Sequence, residues 1–307
     1  MFDPKKPFRS ADAVAAGVSR RRLAGVTFRS LVRGVMISTE ARVEHRQLFE
    51  AALMVHPEGA WLSHTSAAAV YGIVVPDDPN VHVSVIDAKD RRWHPGLKPH
   101  VAPPHTEVVV RDGLRVSGVV RMFIELAAVL KLVDLVVAGD SLCRVLKVRA
   151  DWLRAELVKS TDYWSAAARY AAQFVRDRVD SPMETRVRML LVLAGFAEPE
   201  VNLEIRDENG DVILRFDLAF RLAKVAVEYQ GRPHVEVIAN WKRDIERGDI
   251  TDNLEWRVVE VISDGVYVDP QSTLDRVAAA LRARGFPVPQ RFDPEWIRHF
   301  PPRRRAA

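Results

Sequence analysis

Apolar positions recur along this chain in two rhythms, and the changes of rhythm divide it into regions. In residues 1–75 short apolar clusters are separated by Gly and Arg. Ser10 is placed to cap a helix over residues 11–16, which Gly17 closes as a left-handed C-cap glycine does. Ser19 caps a second helix through Arg20, Arg21, Arg22 and Leu23, ending at Gly25. Phe28–Leu31 and Gly34–Ser38 then pair as strands across Val32-Arg33, so the order is helix, turn, helix, hairpin. That is the layout of a small winged helix-turn-helix. Two more helices are expected within residues 42–72, with Leu48, Ala51, Ala52 and Val55 on one buried face.

Residues 76–148 open in period two. Val81–Ile86 alternates, and residues 107–110 and 114–118 flank a turn at Asp112-Gly113. The Pro- and His-rich stretch between them reads as a loop carrying His94, His100 and His105. From Val119 the pattern is helical, and residues 149–180 read as a charged, Trp-bearing helical connector. Residues 181–285 have a definite order. A helix over 182–194 is followed by strands over 201–207 and 212–220 around the hairpin signal Asn209-Gly210. After a tight reversal at 221–223 come a strand over 224–231, a helix over 240–253, a strand over 256–262 and a helix over 271–284. The sum is α-β-β-β-α-β-α, a mixed sheet with helices against it, and the chain is α/β. Residues 286–307, ending PPRRRAA, read as a basic, mobile Pro/Arg tail.

Composition narrows the function classes. Cys143 is the one cysteine, which excludes an internal disulfide framework and a cysteine zinc site. Set among apolar residues, it reads as core packing, and a single thiol fits a reducing, cytoplasmic setting. The most apolar stretch, Val119 to Leu146, is broken by Arg121, Glu125, Lys131, Asp134 and Asp140, so it reads as buried helices rather than a membrane span. Net charge is +4, but residues 1–46 hold ten Lys/Arg against four Asp/Glu, a local +6 on a remainder of −2. A basic end on a near-neutral body suggests a polyanionic partner. Arg20, Arg21 and Arg22 start the second helix, where a recognition helix meets DNA, and Arg33 lies in the wing. The bland alternative is a solvated basic face.

The chemistry-bearing residues lie in 181–285. Asp217 and Glu228 sit in neighbouring strands joined by a short reversal, each flanked by apolar residues. An acid within an apolar strand is costly unless it is paired or binds a metal. Mg²⁺ or Mn²⁺ takes such oxygen ligands. Glu184, on the preceding helix, can add a third; it is equally the N3 residue of a capping box opened by Ser181 and Pro182. Asp217 or Glu228 can instead pair with Arg215 or Arg243. Three loop histidines can bind metal, but their spacing fits no standard site.

The blocks SPMETRVRMLLVLAGF, FDLAF, VAVEYQGRPH, KRDIERGD and WRVVEV resemble Vsr-like domains of the PD-(D/E)XK endonuclease superfamily, over residues 181–285. Residues 8–140 resemble the N-terminal part of AbiEi-type antitoxins through ADAVAAGVSRRRL, RGVMIS and LSHTSAAAVYGI. The first resemblance implies a restriction-endonuclease-like fold and metal-dependent cleavage of DNA. It implies Glu184, Asp217 and Glu228 as the acids, His234 as a proton carrier and Arg243 as a phosphate contact. Gln230 stands where the superfamily commonly has lysine; an amide can orient water but cannot take its proton. Lys224 or Lys242 would have to act in its place. The second resemblance implies a DNA-binding regulator with a toxin partner. The two expectations are therefore a DNA endonuclease and, as the alternative, an antitoxin-type regulator with an inactive nuclease-like domain.

Overall fold

The structure, a computed structural model, describes residues 3–231 and 250–301. The chain forms two compact units, one of Met1–Leu130 with Ala155–Arg169, the other of Lys131–Arg154 with Tyr170–Ala307. Both are built from helices and sheets, as expected of an α/β chain.

The first unit begins with β1 (Phe8–Arg9), α1 (Ser10–Ala15), α2 (Arg20–Leu23), β2 (Phe28–Val32) and β3 (Val35–Ser38). The strands form an antiparallel sheet in the order β1-β3-β2. Phe8, Ala13, Leu23 and Phe28 make its small core. Gly17 takes φ +89°, a left-handed conformation open to glycine, and stops α1. Ser19 accepts the Arg22 N–H at 3.2 Å and caps α2. Two details differ from expectation. Ser10 is inside its helix, with its hydroxyl on the Gly34 carbonyl at 3.3 Å, so it ties the helix to the wing instead of capping. The hairpin turns at Arg33-Gly34, because Gly34 supplies the left-handed residue (φ +91°). α2 is a single turn.

α3 (His45–Val55) follows, burying Phe49, Ala51 and Ala52, while Leu48 and Val55 are only partly covered. A second sheet is then made from β4 (Trp61–Leu62), β5 (Val81–Val85), β6 (Leu97–Val101), β7 (Val108–Arg111) and β8 (Leu114–Ser117), in the order β6-β5-β4-β8-β7. α4 (His64–Tyr71) and α5 (Val119–Ala127) belong with it. Asp112 and Gly113 both have positive φ and form the tight turn between β7 and β8. The Pro/His-rich stretch is not all loop: β6 lies parallel to β5 at the sheet edge, where Pro99 is tolerated. All five residues of β5 are buried, so its alternating His82 and Ser84 face a buried polar cluster rather than water.

The second unit contains α6 (Leu132–Leu146), which the sequence groups with the middle region but which packs against α9 (Pro182–Leu193). Asp140 on α6 holds Arg188 at 2.8 Å and the Thr185 hydroxyl at 2.8 Å on α9, with both charged side chains buried. α7 (Ala150–Val158) and α8 (Ser165–Ala172) follow α6, and residues 155–169 belong to the first unit. The sheet consists of β9 (Glu200–Arg206), β10 (Val212–Phe220), β11 (Val225–Tyr229) and β12 (Arg257–Val261), in the order β12-β11-β10-β9. β9, β10 and β11 are antiparallel neighbours, and β12 joins β11 parallel. Phe216 packs on Trp256 at 4.7 Å between ring centres in the core beneath. α10 (Asp264–Tyr267), which the sequence pattern does not announce, and α11 (Pro270–Ala283), the helix expected over 271–284, follow; the helix expected over 240–253 lies, except for residues 250–253, outside the described residues. The tail is folded as far as it is described: α12 (Glu295–His299) buries Trp296, and Phe292 stacks on Phe196 at 5.4 Å. Those aromatics, not the arginines, decide its behaviour up to Pro301.

Among the described residues no helix is long and apolar enough to cross a membrane. Cys143 is buried, its thiol pushed up to about 12 by burial and then by Asp177 and Asp140, which agrees with a packing role.

Candidate functional site

The turn at Arg221–Ala223 reverses the chain, and Lys224, left-handed at φ +49°, leads into β11. Leu218 then pairs with Val227, Ala219 with Ala226 and Phe220 with Val225. Continued by one residue, this register sets Asp217 opposite Glu228 with both side chains on one face. Directly opposed residues have Cβ atoms about 4.5–5.5 Å apart. Asp217 accepts the Tyr229 N–H at 3.0 Å, which fixes its carboxylate against β11. Glu228 is buried and Asp217 partly so.

The face extends to both sides. Glu260 on β12 is the register partner of Glu228. On β9, Asn202 lies between Val201 and Leu203, the partners of Leu218 and Phe216, and so stands opposite Asp217. One row therefore runs Asn202, Asp217, Glu228, Glu260 across four strands. Asn202 and Glu260 belong to it through pairing register, which single-strand patterns do not reveal. The signal for Asn202 was an amide inside the alternating strand VNLEI.

Glu184 joins the row from the first turn of α9. Its N–H donates to Ser181 Oγ at 3.2 Å, so Ser181 caps the helix as expected. Its carboxylate does not complete the capping box by bonding Ser181 N–H. It accepts the Asp180 N–H at 3.0 Å and the Asn202 side-chain amide at 3.3 Å. Burial raises the Glu184 pKa, and the negative charges of Asp217 and Asp180 add to that, against the donors from Asp180 and Ser181. Glu184 and Asp217 thus feel one another's charge.

Gln230 ends the row of β11, with its amide nitrogen 3.5 Å from Glu260 Oε1. Lys224 lies at the far end of that strand, four residues or about 13 Å from Glu228, and faces Glu255 at 3.5 Å. It is therefore not placed beside Gln230, where the resemblance would need it. Arg215 pairs with Asp180. His234, Lys242 and Arg243 lie outside the described residues.

The arginines of the winged region are all exposed. Arg20, Arg21, Arg22 and Arg33 have no ion-pair partner among the described residues. Arg9 and Arg29, by contrast, bond the carbonyls of Met54 and Ala41 and hold the fold. The loop histidines do not gather: His105 is exposed beside Asp162 at 3.7 Å. His100 instead meets His64 and His82, and among the described residues these three have ligand atoms all within 4.8 Å of one another. The acids are not drawn that close as a set of three.

No family model matches the chain. It is 30% identical over 119 residues to uncharacterized proteins of two Mycobacterium tuberculosis strains, CDC 1551 / Oshkosh and H37Rv. The match covers 38% of this chain and 44% of each of those proteins, so it spans less than half the length of the curated relatives.

Proposed function

We propose that residues 181–285 form a metal-dependent phosphodiesterase domain acting on DNA, docked on its substrate by the exposed arginines of the winged helix-turn-helix. The observation that carries this reading is the placement of Asp217 and Glu228 on one face, with the Glu184 carboxylate turned toward them rather than into its own capping box. Three oxygen-donor acids suit Mg²⁺ or Mn²⁺, which bind through one or two carboxylates and keep several waters. Asp217 and Glu228 would hold the ion, with Glu184 at its edge. When bound, the ion polarises a phosphodiester and lowers the pKa of water. Asp217 is held in place by the Tyr229 N–H, and Glu184 by Asp180 and Asn202. Gln230 orients water but takes no proton. His234 as proton carrier and Arg243 as phosphate contact rest on the superfamily resemblance alone.

The test is incubation of the full chain with supercoiled, linear and mismatched DNA, with Mg²⁺, with Mn²⁺ and with chelator. Asp217→Ala and Glu228→Ala should each abolish metal-dependent cleavage. Absence of cutting on every substrate would remove the nuclease reading, and cutting by the variants would remove the site. The neutral Gln230 favours a second reading, a DNA-binding regulator of antitoxin type with a toxin partner. Clustered carboxylates repel phosphate unless a cation is present, so DNA affinity that rises with Mg²⁺ supports the first reading and metal-independent affinity supports the second.

A further inference from the structure

The first unit holds a second group of metal-type ligands, made from three different elements. His64 opens α4, His82 is central in β5 and His100 lies in β6. They are 18 residues apart in each step of the sequence, and pairing of β5 with β6 sets His100 beside Ser84. His82 Nε2 lies 2.8 Å from Asp78 Oδ2. A carboxylate only accepts, so this nitrogen carries the proton and His82 Nδ1 presents a lone pair. That Nδ1 faces His100 Nε2 at 3.0 Å. His64 is held differently. Its backbone takes φ +50°, a region that L side chains seldom adopt, and its N–H is fixed by Glu125 Oε2 at 3.1 Å. Its Nδ1 contacts Ser63 Oγ at 3.0 Å, and Ser63 in turn accepts from Ser84 Oγ at 2.8 Å.

We propose that His64, His82 and His100 form a three-histidine site for a transition-metal dication of the zinc type, with its open position facing the adjoining cavity. The argument has four parts. Imidazole suits zinc rather than Mg²⁺. Two imidazole nitrogens on a tetrahedral zinc, each at about 2.0–2.1 Å, stand about 3.3 Å apart. The His82–His100 contact is 3.0 Å, so an ion would part them by a few tenths of an ångström. The Asp78–His82 bond is the carboxylate–histidine arrangement that orients a zinc ligand and raises its basicity. The ligand atoms of all three histidines already lie within 4.8 Å of one another, with His64 and His82 buried.

One rearrangement is required. The His64 ring stacks on His100 at 3.8 Å with 22° between planes, and one ion cannot lie in both ring planes. His64 must turn out of the stack. The space for this is a cavity of about 520 Å³ lined by His64, Ser84, Lys98, His100, Arg121 and Trp164, among others. Arg121 is already bonded to Glu125 and Asp162, both at 2.9 Å. Lys98 is the remaining cation on that wall, suited to a water or small anion at the fourth position. Three protein ligands with an open fourth position are the arrangement of catalytic rather than structural zinc.

The test uses the full chain, stripped with chelator and then titrated with Zn²⁺ by calorimetry and with Co²⁺ by visible absorption. One equivalent should bind, with the intense d–d bands of a tetrahedral cobalt site, and Zn²⁺ should raise the unfolding midpoint. His82→Ala and His100→Gln should each weaken binding at least a hundredfold, and His64→Ala should lower both affinity and band intensity. Asp78→Asn, which leaves all three ligands in place, should weaken binding about 10–100-fold. It guards against variants that merely misfold. Asp217→Asn with Glu228→Gln should leave Zn²⁺ binding unchanged, which separates this site from the acidic row. Zinc binding that is absent in the stripped wild type, or undiminished in His100→Gln and Asp78→Asn, would overturn the proposal.

Discussion

Removing the Asp140 carboxylate tests what anchors α9, the helix that carries Glu184. Asp140 accepts three hydrogen bonds, each at 2.8 Å: Oδ2 takes Arg188 Nη2 and the Thr185 hydroxyl, and Oδ1 takes the Arg176 N–H. Arg188 is fully buried, and its only other carboxylate among the described residues is Glu198 at 3.0 Å, itself one-third exposed. Arg188 is four residues after Glu184 and so lies one turn along the same side of α9. Breaking a buried pair by deleting one partner costs about 3–5 kcal/mol. The surviving Glu198 contact places Asp140→Ala near the lower end, about 3 kcal/mol. A unit of this size loses about 2–4 °C per kcal/mol, so its melting midpoint should fall by about 6–12 °C. Replacing both partners, Asp140→Leu with Arg188→Met, should recover at least half of the loss, because no buried charge is then left alone. Thermal and urea unfolding followed by circular dichroism would measure each variant. A loss under about 1 kcal/mol for Asp140→Ala, or a double variant less stable than the two singles combined, would refute the reasoning.

Three further outcomes are expected. Replacing Arg20, Arg21 and Arg22 with Ala should weaken DNA binding and reduce the slope of log K against log salt by up to about 2.7; an unchanged slope in a filter or fluorescence titration would place the DNA surface elsewhere. Cys143, with its thiol at about 12, should resist iodoacetamide at pH 8.5 in the native protein and react at once in urea. His56 is buried, its pKa depressed from 6.5 first by desolvation and opposed by its bond to the Ala52 carbonyl. The unfolded chain then takes up a proton that the fold refuses, so stability is lost as pH falls below 6.5, and His56→Gln should flatten the acid side of a melting-point profile.

The strands and helix that carry the acids were legible because each had a local signal. Ser181-Pro182 caps α9, Asn209-Gly210 turns β9 into β10, and Asp217 and Glu228 stand out as charges inside apolar runs. What escaped was set by long-range register. Asn202 and Glu260 enter the row only when four strands are aligned. The histidine cluster was hidden for the same reason: nearness in sequence linked His100 to His94 and His105, while the sheet links it to His82, and α4 to His64. Adjacency in sequence likewise groups α6 with the middle region, while the buried pair on Arg188 joins it to α9. In the tail, arginine content masked the two aromatics that pin it, Trp296 and Phe292.

The interleaving of the two units along the chain has a consequence for synthesis. The first unit needs Ala155–Arg169 as well as Met1–Leu130, because Asp162 completes the pairing of Arg121. While residues 131–154 emerge, that unit waits with Arg121 half-paired, and at about 5–20 residues per second the interval from residue 130 to 169 lasts about 2–8 s. Folding on the ribosome cannot finish one unit before beginning the other. Gene fragments cut at residue 130 would produce an N-terminal half lacking part of its own structure.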